Sequence, residues 1–326
     1  MNLLILTNNL NRASFRLRVA VYLGILQANS IDCEVAQLPS GALARRKLFK
    51  KAANFDCVFL HRKTLNLFDA FWLRRYSRKI IYNFDDALMY SDSKPTRNSW
   101  SRQRRFRRSV ELSDLVISGN SYLAEHAQKF NPRVEILPTG LDIKAYRSER
   151  RTKNDGKIRL VWIGSKSTLK YLAEIKPALE ELGSRFDNAV LRIICDDFFD
   201  LQNMEVEKHQ WHKDTEVVNL ITSDIGLAPL PDDRFTRGKC GFKILQYEAA
   251  GLPVVASPLG VNAEYVCEGI TGFHAKNTSQ WIDKISELIE NAELRRKMGQ
   301  NGQARIKSFD IDEIGKRLLD LIMRTL

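Results

Sequence analysis

The chain has 326 residues, 44% of them hydrophobic and 28% charged, with a net charge of +12. That composition suits a globular protein of two ordinary domains and excludes a disordered or fibrous chain. The charge is one-sided, since residues 1–150 hold 26 Lys+Arg against 13 Asp+Glu, leaving 25 against 26 in the remainder. A one-sided basic surface attracts nucleic acid, an anionic leaflet or a phosphorylated substrate, and the plain alternative is a solvated basic face without a partner. No run approaches the ~20 apolar residues that cross a bilayer. The N-terminal apolar run ends at Thr7-Asn8-Asn9 and no basic segment precedes it. It reads as a buried strand entering a polar loop, not as a secretory signal. Cys33, Cys57, Cys195, Cys240 and Cys267 are odd in number and scattered. They indicate neither a disulfide framework nor a zinc site, and they fit a reducing cytosol.

In chain order, residues 3–6 form a strand and residues 16–27 show helical spacing. Further strands follow at 32–38, 56–60, 79–83, 115–118 and 134–137. Short apolar strands separated by helices imply a parallel, doubly wound sheet, in which ligands bind beyond the carboxyl ends of the strands. The polar stretch 144–157, with its Asn154-Asp155-Gly156 turn signal, marks a domain boundary. The α/β pattern then restarts with strands at 158–163, 190–195, 224–229 and 253–256, and helices at 243–250 and 281–290. An amphipathic helix closes the chain, with Ile311, Ile314, Leu318, Leu319 and Ile322 at helical spacing. The expected division is 1–148, 149–308, and a terminal helix 309–326 packing back on the first domain.

Two stretches have the residue types that receive phosphates. In the first, a strand turns into a helix through Gly164, Ser165, Lys166, Ser167 and Thr168. Amides at a helix start point at an anion and the helix dipole favours it, although Ser167 or Thr168 can equally be a plain N-cap. The second runs through Arg237, Gly238, Lys239, Cys240, Gly241 and Lys243 just before a helix. Its glycines admit a ligand to the backbone, and its cations neutralise a departing pyrophosphate. Neither a Walker loop nor GxGxxG is present, which argues against a nucleotide hydrolase or a dinucleotide-dependent dehydrogenase.

The run Lys243-Ile-Leu-Gln-Tyr-Glu-Ala-Ala-Gly-Leu-Pro-Val-Val-Ala-Ser257, followed by Gly260-Val261, Glu264 and Gly269-Ile-Thr-Gly-Phe273, resembles the C-terminal signature of glycosyltransferase family 4. Leu137-Pro-Thr-Gly-Leu-Asp142 resembles that family's domain-junction segment. Trp162-Ile-Gly-Ser with Ser167-Thr168, and Arg237-Gly-Lys-Cys-Gly-Phe-Lys-Ile-Leu-Gln-Tyr247, are similar to a bacterial subgroup. The resemblance implies the GT-B fold of two Rossmann-like doubly wound sheets. It also implies a nucleoside-diphosphate-sugar donor held by the second domain, and transfer with retention. The family's two glutamates, eight positions apart, fall here at Gly238 and Gln246, with Glu248 two positions out of register. Gln246 can still hydrogen-bond a ribose hydroxyl, and Arg237, Lys239 and Lys243 take over part of the pyrophosphate contact.

On the acceptor side the resemblance places the loop bearing Ser14, Arg16 and Arg18. Asp85 and Asp86 end a strand, where they could hold or deprotonate an acceptor hydroxyl, or cap a helix and pair with an arginine. His61 ends another strand. Residues 97–108 make a basic helix with Trp100 and Phe106, suited to anionic lipid heads. The expected partner is therefore a lipid-linked or growing-glycan acceptor at the inner face of the plasma membrane, with no nucleic acid and no metal or other cofactor. The competing readings are a sugar-nucleotide epimerase, a non-catalytic nucleotide-binding or scaffolding subunit, and a nucleic-acid-binding protein.

Overall fold

The computed structural model describes residues 1–146 and 155–326, and the boundary expected at 148/149 lies outside them. From the N-terminus come β1 (Asn2–Thr7), α1 (Ala13–Arg18), α2 (Leu23–Ala28), β2 (Asp32–Gln37), α3 (Ala42–Lys51), β3 (Cys57–His61), α4 (Leu67–Tyr76) and β4 (Lys79–Phe84). Then follow α5 (Trp100–Glu111), β5 (Leu115–Ser118), α6 (Ser121–Gln128) and β6 (Val134–Ile136). The second half carries β7 (Ile158–Ile163), α7 (Leu169–Ala173), α8 (Lys176–Arg185), β8 (Ala189–Cys195), β9 (Glu205–Gln210), α9 (Lys213–Ile221), β10 (Ile225–Ala228) and α10 (Phe242–Ala249). It ends with β11 (Val254–Ala256), α11 (Val261–Tyr265), β12 (Gly272–His274), α12 (Thr278–Glu290), α13 (Ala292–Arg305) and α14 (Ile311–Thr325).

The chain divides into two compact units, Met1–Leu141 with Asp233–Cys240 and Phe309–Leu326, and Asp142–Asp232 with Gly241–Ser308. Each holds one six-stranded sheet of entirely parallel pairs, ordered β2-β1-β3-β4-β5-β6 and β12-β11-β10-β7-β8-β9. The strand order reverses beside β1 in the first unit and beside β7 in the second, and such a reversal opens a crevice at the carboxyl edge.

In the first unit Leu4 and Leu6 of β1 enter a cluster with Val58, Leu60, Ile80, Tyr82 and Phe106. Leu3 and Ile5 alternate to the other face, with Phe59, Ile81 and Ile117, and there Ile314, Leu318 and Ile322 of α14 cover them. The helix expected over 16–27 breaks at Val19 (φ −132°, ψ −63°) into α1, a 3-10 turn and α2. The break lets Phe15, Arg18, Val19, Tyr22 and Leu26 all reach the interior.

The second core gathers Trp162, Leu191, Ile193, Leu227, Val255 and Ile285. The sequence reading missed β9, whose residues Glu-Val-Glu-Lys-His-Gln have no apolar period. The strand pairs with β8 along its whole length. Arg159 of β7 and Arg192 of β8 are buried, and Glu207 reaches both, at 3.0 and 2.6 Å.

Candidate functional site

The carboxyl edge of the first sheet brings α1, β3, β4 and β5 together. Ser14 Oγ donates to Asp85 Oδ2 at 2.6 Å and lies 3.1 Å from His61 Nε2. On the far side of the imidazole, His61 Nδ1 lies 3.0 Å from Asn83 Oδ1. This row has three gaps, and a neutral histidine with one hydroxyl supplies only two hydrogens. Burial lowers His61 to about 4, against the pull of the Asp85 carboxylate, so the ring is neutral at pH 7. Ser14 gives its one hydrogen to Asp85, and Nε2 is left as an acceptor.

Arg62 is the residue the sequence reading passed over. Its backbone is left-handed (φ 56°), a conformation that non-glycine residues rarely hold without cause. From there its fork spans two carboxylates, with Nη1 on Asp85 Oδ1 and Nη2 on Asp86 Oδ2, each at 2.7 Å. Burial raises the Asp85 carboxyl, but the Arg62 and Arg18 charges outweigh it and hold the group far below the usual range. A carboxylate so stabilised, with Arg62 and Ser14 on its two oxygens, is a weak base. The strand-end aspartates thus act as an anionic clamp on cations, closer to the arginine-pairing alternative than to hydroxyl deprotonation. Arg18 is buried and donates to Leu137 O at 3.0 Å and Thr139 Oγ1 at 3.2 Å, which ties the sheet to the junction segment. Arg16 stays exposed on the opposite side of α1.

The segment Asp233–Cys240 belongs to this unit. Asn120 Nδ2 donates to the carbonyls of Gly238 (3.1 Å) and Lys239 (3.0 Å), and Cys240 Sγ reaches Asp85 O at 3.1 Å. Burial pushes the Cys240 thiol up to about 12, so it packs as a neutral group. Lys239 Nζ donates to Asp86 Oδ1 at 3.2 Å. Arg237 lies on the 3-10 turn Thr236–Gly238, and its charge acts on Tyr122. At Gly238 a Cβ would stand 2.8 Å from Ala87 Cβ, so the glutamate that the family resemblance leads one to expect there has no room.

In the second unit Lys243 folds back onto the end of β7, donating to Ile163 O and lying 4.3 Å above the Trp162 ring. A Cβ at Gly164 would meet both groups, which brings Gly164 and Lys243 together. Ser165, Ser167 and Thr168 bond mainly to one another in a capping box whose N-cap is Ser165, not the Ser167 or Thr168 expected. Gly241 caps α10 at φ 61°, with Val261 and Tyr265 filling the space a side chain would need. Gln246 is buried, and its Nε2 donates to Glu216 Oε1 at 2.7 Å, while Trp211 Nε1 holds Oε2 at 2.5 Å. The Glu216 carboxylate of α9 thus stands directly beside Gln246. Glu248 turns away to Arg305 at 2.5 Å, and burial raises it to about 7 despite that partner.

A cavity of about 620 Å³ opens at the carboxyl ends of β10, β11 and β12, lined by Pro229–Asp232, Ser257–Leu259 and Lys276–Thr278, with Glu174, Ile175 and Trp281. Residues 147–305 match the family described as Glycosyl transferases group 1. The chain carries a glycosyltransferase domain. The strand-end cavity lies within the matched residues, on the β10–β12 side of β7, where the strand order reverses. Sequence reasoning did not single out Glu216, a helix position that only the tertiary structure brings beside Gln246.

The relatives agree with the fold. A glycosyltransferase of Methanocaldococcus jannaschii, MJ1178, is 38% identical over 73 residues, and the match covers 21% of each chain. Anabaena HepE, crystallised with UDP and glucose, superposes over 99% of this chain and 100% of its own at a TM-score of 0.77 and 16% identity. WaaG, a glycosyltransferase involved in lipopolysaccharide biosynthesis, covers 99% of both chains at a TM-score of 0.66 and 14% identity. Sucrose-phosphate synthase from Thermosynechococcus elongatus does so at 0.74 and 13%, over 99% of this chain and 98% of its own. At these identities the superpositions show the GT-B architecture: two parallel α/β units.

Proposed function

We propose that the protein transfers a sugar from a nucleoside-diphosphate sugar to a hydroxyl acceptor, with retention and without a metal. The observation that carries this is the glycosyltransferase match over residues 147–305 together with the cavity at the ends of β10–β12 inside it. UDP is the first nucleotide to try, since HepE has been crystallised with UDP and with UDP-glucose. Gly164 and Lys243, Gln246 and Glu216 are the donor-side groups. Arg237 and Lys239 are the cations offered to the departing diphosphate, a charge-stabilising role in which loss of one group costs about a hundredfold in rate. Ser14, His61, Arg62 and the two aspartates form the acceptor side. The acceptor itself is a lipid-linked or growing glycan at an anionic membrane face, as the +13 excess in residues 1–150 supports.

Gly238 and Gln246 give weight to a second reading, a nucleotide-binding subunit without transfer. Glu216 beside Gln246 counters it by restoring a carboxylate. Two measurements decide. UDP should raise the thermal midpoint, and nucleotide release from a UDP-sugar should fall about a hundredfold in Lys239→Ala. Stabilisation by UDP with no nucleotide release from any donor supports the subunit. Unchanged turnover in Lys239→Ala removes the loop from the chemistry.

A further inference from the structure

On the first unit α3 and α4 leave a large apolar surface uncovered. Leu43 is 75% exposed, Leu67 73%, Phe71 60% and Phe68 38%. Positions 67, 68, 71 and 72 recur at helical spacing, so they form one stripe along α4. The stripe is ordered: Phe71 meets Trp72 edge-on at 5.0 Å, and Trp72 stacks on Tyr76 at 5.6 Å and 17°. Arg46 of α3 lies 3.8 Å above the Trp72 ring. Leu43, one turn earlier on α3, therefore borders the same stripe. Isolated surface leucines need no explanation, but a contiguous aromatic and aliphatic ridge marks an interaction site.

The charge around the ridge selects its partner. Arg46, Lys47, Lys50 and Arg75 are exposed on these two helices. Their one acidic residue, Asp69, is buried and held by Arg45 at 2.8 Å. A second copy of this face would meet its own positive charge, whereas phosphate head groups would neutralise it and admit the side chains to the acyl boundary. Helix α5 offers less, because Phe106 turns into the core and leaves Trp100 as its exposed aromatic.

We propose that the α3–α4 face is a docking surface for an anionic lipid bilayer, with Leu67, Phe68 and Phe71 seated among the head groups. The proposal deepens the membrane-side acceptor reading and rests on it for its purpose, but lipid binding is measured without turnover. The full chain is sedimented with phosphatidylcholine vesicles, with and without phosphatidylglycerol. Wild type should pellet with the anionic vesicles, less so at high salt. Leu67→Ser with Phe71→Ser should weaken that binding at least tenfold, as should Arg46→Glu with Lys50→Glu, while nucleotide release in vesicle-free buffer is unchanged. Absence of wild-type binding to anionic vesicles overturns the proposal, and so does equal binding by both variants. Preference for a DNA duplex over the vesicles at matched salt also overturns it, in favour of a polyanion surface. No nucleotide release by wild type from any donor, with its binding to anionic vesicles intact, would sink the transferase reading and leave the docking face standing.

Discussion

His61 shows how a single side chain reads its surroundings. In the sequence it is a lone histidine after an apolar run; in the fold it is buried between Ser14 and Asn83. Burial brings it from 6.5 to about 4. A histidine whose folded value lies below its unfolded one favours folding above the unfolded value, and that contribution is lost as pH falls through the folded value. The window is pH 6.5 down to about 4, and this group alone accounts for about 3 kcal/mol across it. His61→Gln should flatten that part of the stability–pH curve, measured by urea denaturation. A variant as steeply acid-sensitive as wild type in this window would show that His61 does not carry the proton.

At the scale of elements, β9 is the instructive case. Its polar sequence has no strand signal, yet it pairs with β8, and from it Glu207 meets Arg159 and Arg192. Burial works against ionising Glu207, but hydrogen bonds and charge from the two arginines, helped by His209, bring it down to about 2. Removing the carboxylate takes away an acceptor shared by two buried guanidinium groups, leaving Arg159 with Asp155 and Arg192 with Asn219 O and Thr222 Oγ1; breaking a buried pair typically costs about 3–5 kcal/mol, and the lower end is expected here. Glu207→Ala should therefore fall by about 3 kcal/mol or more in denaturant. A loss under about 1 kcal/mol would mean that Asp155, Asn219 and Thr222 satisfy the two arginines without Glu207. By contrast β1, β3 and β7 were legible in the sequence, because strands buried on both faces are continuous apolar runs.

At the scale of the molecule, each sheet draws its side chains from distant chain segments. The apolar spacing predicts α14 as an amphipathic helix, and Ile314, Leu318 and Ile322 enter a cluster with Leu3, Ile5 and Ile81 of the first unit. Truncating such residues costs about 2–5 kcal/mol each. Leu318→Ala should raise amide exchange in β1, β3 and β4. Protection there equal to wild type would show that the helix adds no stability to the sheet. Asp233–Cys240 is the less expected case, since its neighbours in sequence belong to the second unit. Among the described residues no helix is long and apolar enough to cross a membrane.

What could be read directly from the chain were local quantities: the apolar strands, the basic first half and the amphipathic end. These depend on periods of two and 3.6 residues and on glycine, which neighbours in sequence encode. Only the tertiary structure decided that Arg62 forks over Asp85 and Asp86, that Gly238 has no room for a side chain, and that Glu216 stands beside Gln246. Those pairings join residues between 23 and 151 positions apart or depend on who packs against whom, and burial, not sequence spacing, sets their charges.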